Sequence, residues 1–535
     1  MKKKLWTILL SIVMVAGLLP VTALAAEPTA YDIWVDGVQV TSENKDNLCS
    51  GTVSYDPTTH TLSLNNATLD SNTMLDYGIK TTIPSTLKIR LTGTNSITRT
   101  DTGGGAGIHS DNAVEIIGDG TLTINVQGDT YDGIYVGADL KISDKATVEI
   151  NSKGGLGISG EGIVEIDDAI VDSTGKYAGI DAYELKITNG ADVTLMATAD
   201  NCNGAFIRKD NEGNGGNIEL IASKVKATSY YPGLYAGGKL TVNGGEVKCT
   251  STANSAIWTQ GDILIKGGAK VMTEGKYPMG GNGTFTVEEA EIDAKNTNEN
   301  NIPAIFEVPV ITDGYKLTYA KAVDSEGTEI DLLSSGAQHF ALYKNVHFIT
   351  KAVYPVSFVV TPDGLTNVVV KVNGQEVTGP VSLEAGTYPV EVTADNCKAY
   401  SGNITITADT ATHTQTIAMT YLPADYTKVD EAIAKANALN KDEYKDFSAV
   451  EAAVKAVVRG KNITEQSEVD KMAKGIEDAI AALEKKPAST KPGTSDKSSQ
   501  TGDTSNLALW IALLFVSGAA AIGTTVVSRK KKYNK

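Results

Sequence analysis

Residues Gly133–Gly154 read GIYVGADLKISDKATVEINSKG, and Gly233–Ser255 read GLYAGGKLTVNGGEVKCTSTANS. The same plan recurs from Gly179 (GIDAYELKITNGADVTLMATADNCN) and from Ala256 (AIWTQGDILIKGGAKVMTEGKYP). Each copy opens on a small residue followed by Ile or Leu. An alternating run comes next, such as Leu140-Lys141-Ile142. A Gly-rich or polar turn then leads into a second alternating run, such as Val148-Glu149-Ile150. Copies start near Gly78, Gly107, Gly133, Gly155, Gly179, Gly204, Gly233, Ala256, Met279 and Ala304, in steps of 22 to 29 residues. Self-similarity at that period marks stacked repeats. Alternation with period two argues strands rather than helices. The Leu/Asn ladder and the helix of leucine-rich repeats are missing. The spacing therefore predicts a mainly β chain built on a right-handed parallel β-helix over residues 78–306. Each coil would hold three short strands, and coils would stack about 4.8 Å apart. A single coil cannot bury its own apolar face, so stacking is what stabilises it. Gly-Gly and Asn-Gly pairs supply turns that need positive φ.

The rest of the chain divides around this solenoid. Residues 1–26 carry Lys2, Lys3 and Lys4, an apolar run to Leu19 and Ala23-Leu24-Ala25, the layout of a secretory signal. Residues 27–77, with a hairpin turn at Asp36-Gly37, are expected to cap the solenoid's open N-terminal end. Residues 307–352 lose the period and are expected to cap the other end. Residues 353–422 alternate in short runs broken by Pro362-Asp363-Gly364, Asn373-Gly374 and Ala385-Gly386, which predicts a small antiparallel β-sandwich. Residues 423–486 switch to helical spacing on three faces: Val429, Ile433, Ala436 and Leu439; Phe447, Val450, Val454 and Val457; Val469, Ala473, Ile476, Ile480 and Leu483. That predicts a three-helix bundle, with Thr464 as the N-cap of its third helix. Residues 487–506 are a polar linker. Leu507–Val527 is apolar over 21 residues, long enough for a C-terminal transmembrane helix. Residues 528–535 form a basic tail whose Arg529 and Lys530–Lys532 place that end in the cytoplasm.

Several function classes lose support at this level. The net charge of −17 disfavours nucleic acid as a partner. The histidines His60, His109, His339, His347 and His413 are scattered and form no metal-binding pattern. Asp210-Asn211-Glu212-Gly213-Asn214-Gly215 is read as a plain loop, because Ile221 stands where a calcium loop needs a bidentate Glu. Neither a metal nor another cofactor is expected. Asp167-Asp168 is the one tempting carboxylate pair for glycoside hydrolysis. The repeat aligns it with Thr188-Asn189, so it is read as a turn. No catalytic residue is expected. Cys202 and Cys249 lie two coils apart, about 9.6 Å and beyond disulfide reach, and the four cysteines are read as isolated apolar side chains.

The positive signal is aromatic. The residue after the inward Ile or Leu must point outward. That place holds His109, Tyr135, Ser159, Asp181, Phe206, Tyr235, Trp258 and Phe306 in successive copies. In register, Phe206, Tyr235 and Trp258 would make a flat stripe suited to the apolar faces of sugar rings. Phe206, Tyr235, Trp258, Tyr135 and Asp181 are therefore the candidate ligand-binding residues. A second series, Tyr77, Tyr131, Tyr177, Tyr231 and Tyr277, precedes each coil start and is expected to pack at a corner.

Parts of the chain resemble known surface modules. Gly386-Thr387-Tyr388 and its flanks resemble PEGA or bacterial Ig-like modules. Asp425-Tyr426, Asp430, Leu439-Asn440, Tyr444, Thr464 and Val469-Asp470 resemble the FIVAR module of Gram-positive surface proteins, a family linked to extracellular glycan-binding and spacer roles. The C-terminal layout is similar to an LPxTG sorting signal. Gln500, Thr501, Gly502 and Asp503 fit it, whereas Ser498 and Ser499 stand in place of Leu and Pro. The whole chain resembles Gram-positive cell-surface proteins with a β-helical carbohydrate-binding-type domain. The resemblance implies an exported, surface-held binder of a polysaccharide or glycoconjugate from host or cell wall. It also implies a membrane anchor through the C-terminal helix and a sortase as a further partner. A β-helical polysaccharide lyase or glycoside hydrolase, and a passive stalk, are the alternatives.

Overall fold

The computed structural model describes residues 27–70, 77–100, 105–298, 302–324, 326–334 and 337–487. The expected signal segment, most of the linker, the sorting-like motif, the apolar stretch Leu507–Val527 and the basic tail lie outside the described residues. Among the described residues, no helix is long and apolar enough to cross a membrane.

The described residues up to Met419 form one compact unit. Most of it is a β-solenoid of about ten turns. Three long sheets of 11, 12 and 13 strands run along it among the described residues, each taking one strand per coil. In the first sheet the inward column is Ile79, Ile108, Ile134, Ile158, Ile180, Ala205, Leu234, Ile257 and Met279, all paired in parallel register. These residues are almost wholly buried. Burying each Ile or Leu contributes about 1.5–3 kcal/mol, and only the neighbouring coils provide that burial. The register corrects two of the expected coil starts. Ile158 holds the inward place, so that coil begins at Gly157, not Gly155; Met279 is itself inward. Gly155-Leu156 and Gly157-Ile158 have the same form two residues apart, and alternation alone does not separate them.

The glycine before each inward residue has a steric cause. A Cβ on Gly78, Gly107 or Gly133 would lie 2.1–2.4 Å from the Cγ2 of Ile97, Ile124 or Ile150 on the third sheet. Farther along, the third-sheet column runs Ser173, Leu195, Ala227, Cys249 and Thr273, smaller at every place but Leu195. There Ala256 replaces glycine. Cys249 is thus a buried filler, and all four cysteines are free.

On the second sheet the outward column reads Lys88, Glu115, Lys141, Glu165, Lys186 and Glu219, in register. Lys88 Nζ lies 3.2 Å from Glu115, and Lys141 Nζ lies 2.8 Å from Glu165.

Antiparallel strands finish the ladders. The hairpin Ala30–Val35 and Val38–Thr41 turns at Asp36-Gly37, both at positive φ, and pairs antiparallel with Ile79–Thr81. Parallel pairing in the second sheet already begins at Thr61–Asn65. Asn345–Ala352 pairs antiparallel with Ala290–Asn296 and ends the third sheet's parallel run.

Beyond this, a three-stranded and a four-stranded sheet share one apolar cluster that includes Val356, Val372, Val390, Val392 and Ile417. The expected all-antiparallel pairing is corrected: Tyr354–Thr361 runs parallel to His413–Ala418.

The second unit holds helices Thr427–Asn437, Ser448–Lys455 and Gln466–Ala481. They close on Val429, Ala436, Val450, Val469, Ala473 and Ile476. The expected cap at Thr464 is also corrected. Asn462 caps the turn that enters the third helix and forms a reciprocal capping box with Glu465. Thr464 Oγ1 donates to the Asn462 side chain instead.

Candidate functional site

The outward column of the first sheet follows from its inward one, because successive strand residues point to opposite faces. It runs Lys80, His109, Tyr135, Ser159, Asp181, Phe206, Tyr235, Trp258 and Gly280, each in register with the next. Ile305 bridges to Met279, so Phe306 comes to Gly280. Phe206 and Tyr235 stack with centroids 5.0 Å apart and planes at 30°. Trp258 and Phe306 meet edge to face at 6.4 Å.

Beside this floor lies an open cleft of about 510 Å³. Phe206, Tyr235, Trp258 and Phe306 form its base. Tyr231-Pro232 lies just before the strand Leu234–Ala236, Tyr277 opens the strand Tyr277–Gly281, and Asn203, Asn254 and Ser255 complete the lining. Tyr277 lies 5.7 Å from Phe306, ring to ring. None of these lining side chains carries a charge.

Hydrogen bonds set the corner and the floor. The Tyr231 amide donates to Cys202 O at 3.0 Å. Asn254 Oδ1 accepts from the Ser255 amide at 2.8 Å, and Ser251 Oγ accepts from the Asn254 amide. Asn254 O in turn accepts from the Lys276 amide of the following coil. At the floor's outer edge, Gln260 Nε2 donates to the Tyr235 hydroxyl, and Asn282 Nδ2 donates to Gln260 Oε1. This amide chain crosses three coils and holds the Tyr235 ring. Aromatic faces flanked by neutral amides and hydroxyls can stack on a sugar ring and bond its hydroxyls.

Of the candidate residues, Phe206, Tyr235 and Trp258 come together in this cleft. Tyr135 and Asp181 do not. Tyr135 belongs to a separate stack, 4.9 Å from His109, which lies 4.7 Å from Tyr77. Burial lowers the His109 pKa, although Asp111 lies 3.4 Å from its Nε2. Burial also raises the Tyr135 hydroxyl, helped by Glu161. Asp181 is taken up in an ion pair, with Arg208 Nε 2.7 Å from its carboxylate. Arg208 also reaches Glu161 at 3.1 Å and lies 4.2 Å over the Tyr183 ring. Burial raises the Asp181 carboxyl, with Arg208 opposing. Nearby Asp132 rises to about 6, mainly through burial, while the Leu156 amide opposes the shift.

Tyr231 and Tyr277 were expected only to pack. Their recurrence before each coil start was legible, but the meeting of these two with the floor residues was not. Asp167 pairs in register with Thr188 and accepts from the side chains of Thr188 and Asn189. Asp168 takes the positive φ that follows. Asp210 Oδ1 accepts from the Glu212 and Asn214 amides, closing its loop on itself. Among the described residues, no cluster of three or more His, Cys, Asp or Glu is placed to hold a metal.

No curated protein and no solved structure matches the chain. A family model described as "Carbohydrate-binding domain-containing protein" matches residues 16–283, half of the 535. The match takes in Phe206, Tyr231, Tyr235, Trp258 and Tyr277 and stops short of Phe306. A β-solenoid whose coils carry aromatic residues to one uncharged cleft, matched over half its length, belongs to the family of carbohydrate-binding domain-containing proteins.

Proposed function

We propose that the protein holds a polysaccharide on the outer face of its first sheet, in the cleft floored by Phe206, Tyr235 and Trp258, and does not cleave it. One observation carries this reading. Those three rings lie in register on consecutive coils, with Tyr231 and Tyr277 beside them and no charged residue in the lining. Flat apolar surface and neutral polar groups suit sugar rings. A hydrolase cleft would need two carboxylates across the bond to be broken, and this lining has none.

The proposal extends to place. Lys2–Lys4 with the apolar run behind them suggest export, and Leu507–Val527 with its basic tail suggests a membrane tether. The chain would then sit at the cell surface, with the solenoid outside.

Screening the purified protein against a glycan array tests the reading. Trp258→Ala and Tyr277→Ala are each expected to weaken binding by about tenfold or more, near 1.4 kcal/mol, with little change in melting temperature. A blank array for the parent protein would refute it. Release of soluble products from a bound polysaccharide would replace it with the enzyme reading.

A further inference from the structure

The cleft occupies only part of its column. Toward the N-terminus the same outward column carries His109 and Tyr135, ring centroids 4.9 Å apart, and Tyr77, from just before the strand Ile79–Thr81, stacks on His109 at 4.7 Å. From Tyr135 the register runs through Ser159 and Asp181 to Phe206. Three coil steps separate the two aromatic groups, about 14 Å. They share one line, because parallel pairing places equivalent residues over one another.

The intervening floor is low and polar. Ser159 is only 5% exposed, so its neighbours cover it. Asp181 is drawn to Arg208, and Arg208 is held in turn by Glu161 and by the Tyr183 face. The surface is therefore two aromatic stations with a polar, ion-paired stretch between them. A short oligosaccharide covers one station. A chain laid along the solenoid axis reaches both and meets fixed donors and acceptors in between.

We propose that the ligand is an unbranched polysaccharide running along the solenoid axis and gripped at two stations, the Phe206–Tyr235–Trp258 cleft and the Tyr77–His109–Tyr135 stack. This rests on the reading that the first sheet binds glycan. It adds a second binding site, a direction and a minimum length. Tethering one chain at two places makes the second contact intramolecular. That raises affinity by a factor on the order of 10²–10⁴ when the span fits.

Calorimetry with size-graded linear probes tests it. The probes are xylo-, manno-, cello- and galacturono-oligosaccharides from disaccharide to dodecasaccharide, with each parent polymer, titrated into the purified protein. For the series that binds, affinity is expected to rise in two stages with length. Tyr135→Ala combined with His109→Ala should remove the second stage, at least a tenfold loss for the longest probe. Affinity for the shortest bound probe, which needs the cleft alone, reports on folding. Tyr135→Leu keeps apolar volume over the sheet without a flat ring, and it should lower the second stage likewise. A single stage complete at short length, or a long-probe affinity indifferent to these substitutions, overturns the two-station inference and leaves the glycan reading standing. If none of the probes binds, the two-station inference falls, and the glycan reading falls with it only if the array is blank too.

Discussion

Gly280 is the register partner of Trp258, and a Cβ on Gly280 would lie 3.2 Å from Trp258 Cζ3. It would also lie 3.3 Å from Phe306 Cβ. The missing side chain interrupts the outward column just where the cleft opens. Without it, Trp258 and Phe306 meet across the glycine. Gly280→Leu should fill that space and weaken glycan binding at least tenfold, about 1.4 kcal/mol by calorimetry. Gly280→Ala should have a smaller effect. Unchanged affinity in Gly280→Leu would mean that the ligand lies elsewhere on the column.

The glycines at the coil starts predict a graded loss of stability. A Cβ on Gly133 would sit 2.1 Å from Ile150 Cγ2 and 2.6 Å from Gly157 O. The second neighbour is backbone and cannot step aside. Gly133→Ala should cost about 1–3 kcal/mol, as overpacked cores do. At Gly233 the nearest atoms would be 3.0 Å away, and Ala256 already fills the equivalent place one coil on. Gly233→Ala should therefore cost less. Thermal unfolding of both variants checks the ranking, and equal losses would contradict the steric account.

Asp132 gives a pH dependence with a definite sign. Burial lifts its carboxyl from 3.8 to about 6, with the Asp181 charge adding to the rise. Between about pH 4 and 6 the folded chain keeps a proton that the unfolded chain has released. The stabilisation from that proton is complete below the ordinary carboxyl value and is lost as pH rises through about 6. Asp132→Asn keeps an Oδ1 acceptor for the Leu156 amide, which lies 2.7 Å from the carboxylate. The variant's melting temperature relative to the parent's should then climb from pH 4 to pH 7. A constant difference over that interval would show that Asp132 titrates as an exposed carboxyl.

In the helical unit, Asn462 and Thr464 separate two views of one cap. Asn462 Oδ1 accepts from the Thr464 amide, and Glu465 returns a bond to the Asn462 amide. Asn462→Ala should cost about 1 kcal/mol, the usual worth of an N-cap. Thr464→Ala, which leaves the backbone bonds in place, should cost less. Denaturant unfolding of the full chain, followed by helical signal, would expose a reversed order.

The solenoid was largely legible in the sequence because each coil repeats one pattern and register multiplies the signal. Asp167 shows how far that goes. Its alignment with Thr188 holds, although both end their strands and only Asp168 enters the turn; the hydrogen bonds to Thr188 and Asn189 follow from that register. Two kinds of feature were not legible. The coil start was not legible at Gly155-Leu156-Gly157-Ile158, where either glycine fits the small-residue place, although the outward place of Ser159 was. Neighbourhood at the sheet's leading edge failed at Tyr231 and Tyr277, since period two says which face a residue takes but not which side chains of other coils it meets. Asp181 stands among the candidate ligand-binding residues on its outward place alone. Its partner Arg208 stands two residues after Phe206 on the next coil, and only the register brings them together.

The alternation of Lys88, Glu115, Lys141, Glu165, Lys186 and Glu219 bears on how the solenoid assembles. The apolar columns are so alike that they hardly distinguish a coil's proper neighbour from the next but one. The charged column does distinguish them. A coil that docked one place too far would set lysine on lysine and glutamate on glutamate, each unfavourable by up to about 1 kcal/mol. The exposed face of the second sheet thus proofreads the order in which identical-looking rungs are laid down.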